Sequence, residues 1–292
     1  MRAVEHTVRL AGQPFGLRCT CAEFEDEFRR ILKPFPIRKG AAPGYQHYEV
    51  ERDKGFVVRK GRCRLFRCRD LDDALEYLEA NIYGQLVRLL DGPALFHAAA
   101  AVVSDTLILL PAPPRSGKTT LVAGLIKRGA LYVTDEMLIV SPDSLQVQEF
   151  PKPLNLKFGS IPFFPEPGPE LEPARPGPLT SPQRRIHHMI VQPAFCHSGP
   201  VGPGRTALLF PTYREGAKPR LQSLERVEAV RRLAGASYNH YRFDPANFLS
   251  MAERLTRGAL CAELEYGSLE DALQLIDQNV VKLRPLPVCI PA

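Results

Sequence analysis

The 292-residue chain is 45% hydrophobic and 24% charged, enough apolar material for one large or two modest domains with a buried core. No stretch approaches the roughly 18 uncharged apolar residues of a membrane span, and the opening Met-Arg-Ala-Val-Glu-His has no signal-like hydrophobic segment, so a cytoplasmic address without a membrane partner is expected. The net charge of +6 is modest and most basic residues alternate with acids, which argues against a dedicated nucleic-acid binder, while seven cysteines without paired C-x-x-C spacing read as reduced thiols rather than a zinc frame.

Residues 1–93 read as a small accessory α+β domain of short strands and charged turns, closed by a helix from Leu71 to Leu90. Its apolar residues recur at spacings of three and four, Asp70 suits the N-cap, and Asp72 and Asp73 suit the positive first turn. Cys19 and Cys21, two apart, are expected on one face of a strand, packed in the core. The run Arg59 to Arg69 carries six cations and no acid within a strand-like pattern. It reads either as an edge strand kept soluble by charge or as a docking surface for an acidic partner or peptide.

Residues 94–292 read as a second, nucleotide-binding domain. A hairpin of Ala98–Val103 and Thr106–Leu110 leads into Ala112-Pro113-Pro114-Arg115-Ser116-Gly117-Lys118-Thr119-Thr120, followed by an amphipathic run that Gly129 terminates, with Lys127 and Arg128 at its negative end. Strand, loop, helix is the expected order. Strands over 131–134, 137–140 and 145–150 follow in quick succession, favouring a mixed sheet over pure α/β alternation. Eight prolines between Pro162 and Pro182 mark residues 162–185 as an irregular excursion. Beyond it come a strand over 205–210 and helices over 223–233, 245–257 and 268–278, the last opened by a capping box of Ser268 and Asp271.

The loop matches G-x-x-x-x-G-K-[ST] at Gly117, Lys118 and Thr119, a pattern in which backbone amides and a helix N-terminus face phosphates, the lysine reaches the outer phosphates and the hydroxyl takes Mg²⁺. Ala112 stands at the first glycine position, and Pro113 and Pro114 remove two amide donors. Asp135 and Glu136 lie 17 and 18 residues after Lys118, at the end of the next strand, where carboxylates suit a metal and a proton acceptor. His97 precedes the loop's hairpin partner, within reach of that chemistry. His187 and His188 lack companion ligands for a metal, and Lys157 and Arg214 read either as extra charge donors to the phosphates or, more plainly, as solvated surface residues.

Phe96-His97-Ala-Ala-Ala, the loop, its helix to Gly129 and Val133-Thr-Asp-Glu136 resemble the HPr kinase/phosphorylase family over residues 95–160. Leu154 to Ile161, Phe210-Pro-Thr-Tyr213 and the segment 259–272 are similar to its divergent HPr-kinase-related members. The resemblance implies a P-loop kinase core like that of phosphoenolpyruvate carboxykinase, using ATP and Mg²⁺ to phosphorylate a serine hydroxyl of a protein or peptide. Asp135 would accept the proton, His97 would be its catalytic neighbour, Lys118 would bind phosphate, Thr119 would hold Mg²⁺ and Glu136 would be the second, metal-side acid. The family's later metal-binding glutamate falls near Asn155, and its arginine-containing signature is not recognisable, which counts against phosphorylase activity. A small-metabolite kinase and a non-catalytic ATP sensor are the rival functions. The sequence sets neither acceptor nor subunit number, so a homo-oligomer stays open.

Overall fold

A computed structural model describes residues 4–40, 46–164, 168–174, 186–202 and 204–282; Cys289 and most of the proline-rich excursion lie outside them. The fold is mixed α/β, and the chain divides into two compact units. The first gathers Met1–Asp91, Asn155–Pro165 and Pro173–Ile190, the second Gly92–Leu154, Glu166–Glu172 and Val191–Ala292. Residues 155–165 and 173–190 thus join the first unit, not the single domain expected after residue 93. Proline-dense composition marks irregularity, but carries no information about which core an excursion joins.

In the first unit, β1 (Val4–Leu10), β2 (Gln13–Cys19), β3 (Ile37–Lys39), β4 (Gln46–Arg52), β5 (Phe56–Lys60) and β6 (Cys63–Cys68) form one sheet in the order β3-β1-β2-β4-β5-β6. Helix α1 (Ala22–Ile31) lays Phe24 on Phe56 with ring centroids 5.9 Å apart. Helix α2 (Leu71–Leu89) buries Leu75, Leu78, Ile82 and Leu86, and the Asp70 carboxylate caps it by accepting from the Asp73 amide at 2.8 Å. Cys19 is buried, but Cys21 has left the strand to begin α1, so the two do not share a strand face. The cationic run spans a hairpin rather than one strand, and β6 is the sheet's edge. A register shift interrupts the β5–β6 pairing, Arg59 is paired with Glu51 and Arg67 with Asp53. Charge and irregular pairing are both devices that keep an edge from recruiting another strand.

The second unit begins with β7 (Ala94–Phe96), β8 (Ala98–Val103), β9 (Thr106–Pro111), α3 (Lys118–Lys127), β10 (Leu131–Thr134), β11 (Leu138–Val140) and β12 (Val147–Gln148). Strand β12 is shorter than the expected 145–150; Leu145 adopts a left-handed φ of 59°, and Phe150 meets Thr134 only as an isolated bridge. β13 (Leu154–Lys157), β14 (Leu171–Pro173) and β15 (Ile186–Val191) follow, most of their residues belonging to the first unit. The second unit then resumes with β16 (Arg205–Tyr213), β17 (Arg220–Ser223), α4 (Arg226–Gly235), α5 (Pro245–Thr256), β18 (Leu260–Tyr266) and α6 (Leu269–Asn279). Ser223 does not cap a helix as expected. It ends β17, paired opposite Ala262, and α4 starts three residues later.

Six strands of this unit form a sheet in the order β10-β8-β9-β16-β18-β17. The pairs β9–β16 and β16–β18 are parallel, the others antiparallel, giving the mixed sheet that the strand spacing suggested. Every residue of β8 and β9 is buried, as befits strands covered on both faces. Phe248, Met251 and Ala252 of α5 and Ala229 and Leu233 of α4 share a core with Ala98, Ala100, Leu107, Leu109 and Phe210. The period of two sends Ala99, Ala101, Ile108 and Leu110 to the opposite face, where α3 packs on β8 and α6 on β18. α3 and α6 meet at Gly124, where an added Cβ would stand 2.9 Å from a Leu269 methyl.

Candidate functional site

Strand direction concentrates the flagged residues at one sheet edge. β9, β10, β16 and β18 run the same way, so their C-terminal ends open on one side, together with the N-terminal end of antiparallel β8. The loop 112–117 leaves β9 there, Asp135 and Glu136 leave β10, Arg214 follows β16, and His97 precedes β8. The outer edge at the carboxyl ends of strands is where open α/β sheets bind ligands.

Pro111 ends β9 and Lys118 begins α3, with Arg115 (φ 68°) and Gly117 (φ 91°) in left-handed conformations between them. A methyl on Gly117 would lie 2.2 Å from the Tyr266 hydroxyl, so both conformation and space require glycine. Ala112 is buried, and its amide donates to the His97 carbonyl at 3.4 Å, while Pro113, Pro114 and Arg115 are exposed. The Ser116 carbonyl accepts from the Tyr213 amide at 3.1 Å and the Gly117 carbonyl from the Tyr266 hydroxyl at 3.3 Å, fastening the loop to β16 and β18. Helix α3 has neither a side-chain cap nor an acid of its own in its first turn, so no residue within the helix neutralises the positive end of its dipole. The buried Lys118 ammonium folds back to donate to the Ala112 and Pro113 carbonyls at 2.7 and 2.9 Å.

Thr119 and Thr120 occupy the first turn of α3. The Thr119 hydroxyl donates to Asp135 Oδ2 at 3.0 Å. Asp135 is 2% exposed, and its other oxygen, Oδ1, has no hydrogen-bond partner among the described residues; the same is true of Ser116 Oγ. Burial raises the Asp135 carboxyl above the usual carboxylate range. Nearby Lys152 opposes that shift, Glu136 adds to it, and the Thr119 hydrogen bond and Lys118 oppose it further. The Thr119 hydroxyl and the unpartnered Ser116 Oγ are hard oxygen donors of the kind Mg²⁺ takes, and that ion needs few protein ligands because it keeps waters and substrate phosphates. Among the described residues no group of three or more His, Cys, Asp and Glu is placed to hold a metal, and His188 Nε2 lies 3.4 Å from Glu79 Oε2.

Glu136 diverges from its neighbour. Its backbone is left-handed (φ 79°), its carbonyl accepts from the Tyr238 hydroxyl at 3.2 Å, and its half-exposed carboxylate pairs with Lys152 Nζ at 3.1 Å. Lys152 itself is fully buried. The Phe150 amide donates to the Val133 carbonyl, carrying the following residues past the end of β10, and the Tyr132 hydroxyl fixes the Lys152 carbonyl at 2.8 Å. Neither Lys152 nor Tyr238 belongs to a motif that marks it along the chain. The one available signal was a lysine between two prolines, Pro151 and Pro153, which stiffen the chain around it.

The His97 ring lies against Tyr238 with centroids 5.7 Å apart and makes no hydrogen bond among the described residues. Burial, reinforced by Lys118 and countered by Glu136, pushes its imidazole down to about 4, so it is neutral at neutral pH. Arg214, 71% exposed, pairs with Glu265 at 3.1 Å at the same edge. Lys157 and Asn155 belong to the first unit, where the Asn155 amide donates to Glu79 at 3.0 Å. No helix among the described residues is long and apolar enough to cross a membrane. No family model matches the chain, and no curated protein matches it.

Proposed function

We propose that the second unit is a P-loop kinase core of the HPr-kinase-related kind, binding ATP with Mg²⁺ and transferring the γ-phosphate to a hydroxyl, serine above all, of a protein or peptide. The observation that carries this reading is the 3.0 Å contact between Thr119 of the loop helix and Asp135 at the end of β10, beside a loop lysine. Phosphoryl transfer depends on positioning and charge stabilisation, and these are the groups that supply both. In this reading the Lys118 ammonium exchanges the Ala112 and Pro113 carbonyls for phosphate oxygens, with the α3 dipole behind it. The Thr119 hydroxyl holds Mg²⁺, whose role is to neutralise charge on the polyphosphate. Asp135 Oδ1 accepts the proton of the acceptor hydroxyl, its raised affinity for protons suiting a base. His97 packs beside that centre as a neutral ring.

The test uses γ-labelled ATP with candidate peptide and protein acceptors, together with calorimetric binding of an ATP analogue. Lys118→Ala should lose at least tenfold in nucleotide affinity. Asp135→Asn should retain binding and lose transfer by about 10²–10⁴, the usual contribution of a positioned base. Transfer that survives Asp135→Asn removes the assigned base, and label appearing only in small molecules makes the acceptor a metabolite.

A second reading, an ATP-sensing protein that transfers nothing, draws on Pro113 and Pro114, which give the loop two fewer amide donors, and on the engagement of Lys118 with its own loop. ATP binding without label on any acceptor favours it.

A further inference from the structure

The acidic pair after β10 is split in space. Asp135 turns toward Thr119, whereas Glu136, one residue on, turns to an ammonium with no exposed surface. A buried lysine is costly unless an opposite charge compensates it, and a left-handed non-glycine backbone persists only where its surroundings hold it. Both costs are met at Glu136, by the Lys152 ion pair and by the Tyr238 hydrogen bond. Tyr132 and the Val133–Phe150 hydrogen bond anchor Lys152 independently of the loop. Such over-determination fixes where the Glu136 carboxylate points.

We propose that Lys152 is a positioning residue: its buried ammonium holds and neutralises Glu136, keeping that carboxylate off the metal and leaving Asp135 as the acid of the pair that faces Thr119. This inference rests on the kinase reading above and assigns Glu136 a role other than the metal-side acid implied by the sequence resemblance.

The experiment measures Mn²⁺ affinity by electron paramagnetic resonance, with the full chain saturated by a non-hydrolysable ATP analogue, alongside thermal midpoints. Glu136→Gln should leave Mn²⁺ affinity within about twofold, because no ligand is lost. Lys152→Met should tighten Mn²⁺ about tenfold, since a nearby cation disappears while an uncompensated carboxylate remains. Lys152→Arg should stay close to wild type, and the double variant Lys152→Met with Glu136→Gln should return toward it. A lysine that only props up the fold would lower the midpoint without moving Mn²⁺ affinity in a Glu136-dependent way, and that result overturns the inference. Should Lys152→Met not fold, Glu136→Gln alone decides: a tenfold loss of Mn²⁺ makes Glu136 a ligand and overturns the assignment. A wild-type chain that binds no Mn²⁺ with the analogue removes the kinase reading itself, and the inference with it.

Discussion

Thr119 and Asp135 are 16 residues apart in sequence and joined by a 3.0 Å hydrogen bond, the hydroxyl donating to a carboxylate with almost no exposed surface. Removing the hydroxyl leaves both oxygens of a buried acid without a partner. Thr119→Val should therefore destabilise the fold by about 1–3 kcal/mol, the cost of stranding a buried polar group, in chemical denaturation. Thr119→Ser should restore most of that stability and, on the kinase reading, the dependence on Mg²⁺. A valine variant as stable as wild type would show that the bond contributes nothing.

Gly117 tests whether the loop is held by β18. Alanine there must adopt φ 91° and meet the Tyr266 hydroxyl, so Gly117→Ala should cost about 2 kcal/mol or more and, on the kinase reading, weaken nucleotide binding. Adding Tyr266→Phe removes the clashing oxygen and should recover part of the loss, leaving the conformational share. Equal stability of the single and double variants would place the whole cost in the backbone.

His97 gives a pH dependence with a definite sign. Its imidazole is depressed to about 4 in the fold against about 6.5 in an unfolded chain, so between those values the unfolded state binds the extra proton. Its contribution is fully present above pH 6.5 and is lost as pH falls through that window toward 4. Asp135, raised by burial, contributes with the opposite sign, so the comparison must be between wild type and His97→Asn. The difference in their thermal midpoints should narrow or invert as pH drops from 7 to 4. A His97 ring resonance titrating near 6.5 by NMR would refute the burial argument.

On the kinase reading, the exposed cations of the β5–β6 hairpin tell an acidic peptide acceptor from a small metabolite. Arg62 and Arg64 are exposed, and exposed ion pairs are worth at most about 1 kcal/mol each. Replacing both by glutamate should raise KM for an acidic peptide acceptor about three- to tenfold at low salt and leave a small-metabolite acceptor unaffected. No change with any peptide would leave edge protection as the sole role of this charge.

Local order was legible in the sequence wherever a few neighbouring residues decide it. The β8–β9 hairpin, the turn into α3 and the caps at Asp70 and Ser268 follow from apolar periodicity and short side-chain-to-backbone hydrogen bonds, which act within about four residues. The same local signals misplaced α4 at Ser223, because pairing with β18 outweighs helix capping there, and gave no notice that Leu260–Tyr266 is a strand inside the sheet. Only the tertiary structure decided the order β10-β8-β9-β16-β18-β17, and with it the edge where His97, the 112–117 loop, Asp135 and Arg214 gather. Composition and spacing fixed which charged groups the chain carries. Which of them meet was settled by strand pairing, since contacts such as Tyr238 with the Glu136 carbonyl, 102 residues away, arise from burying apolar faces and have no signature along the chain.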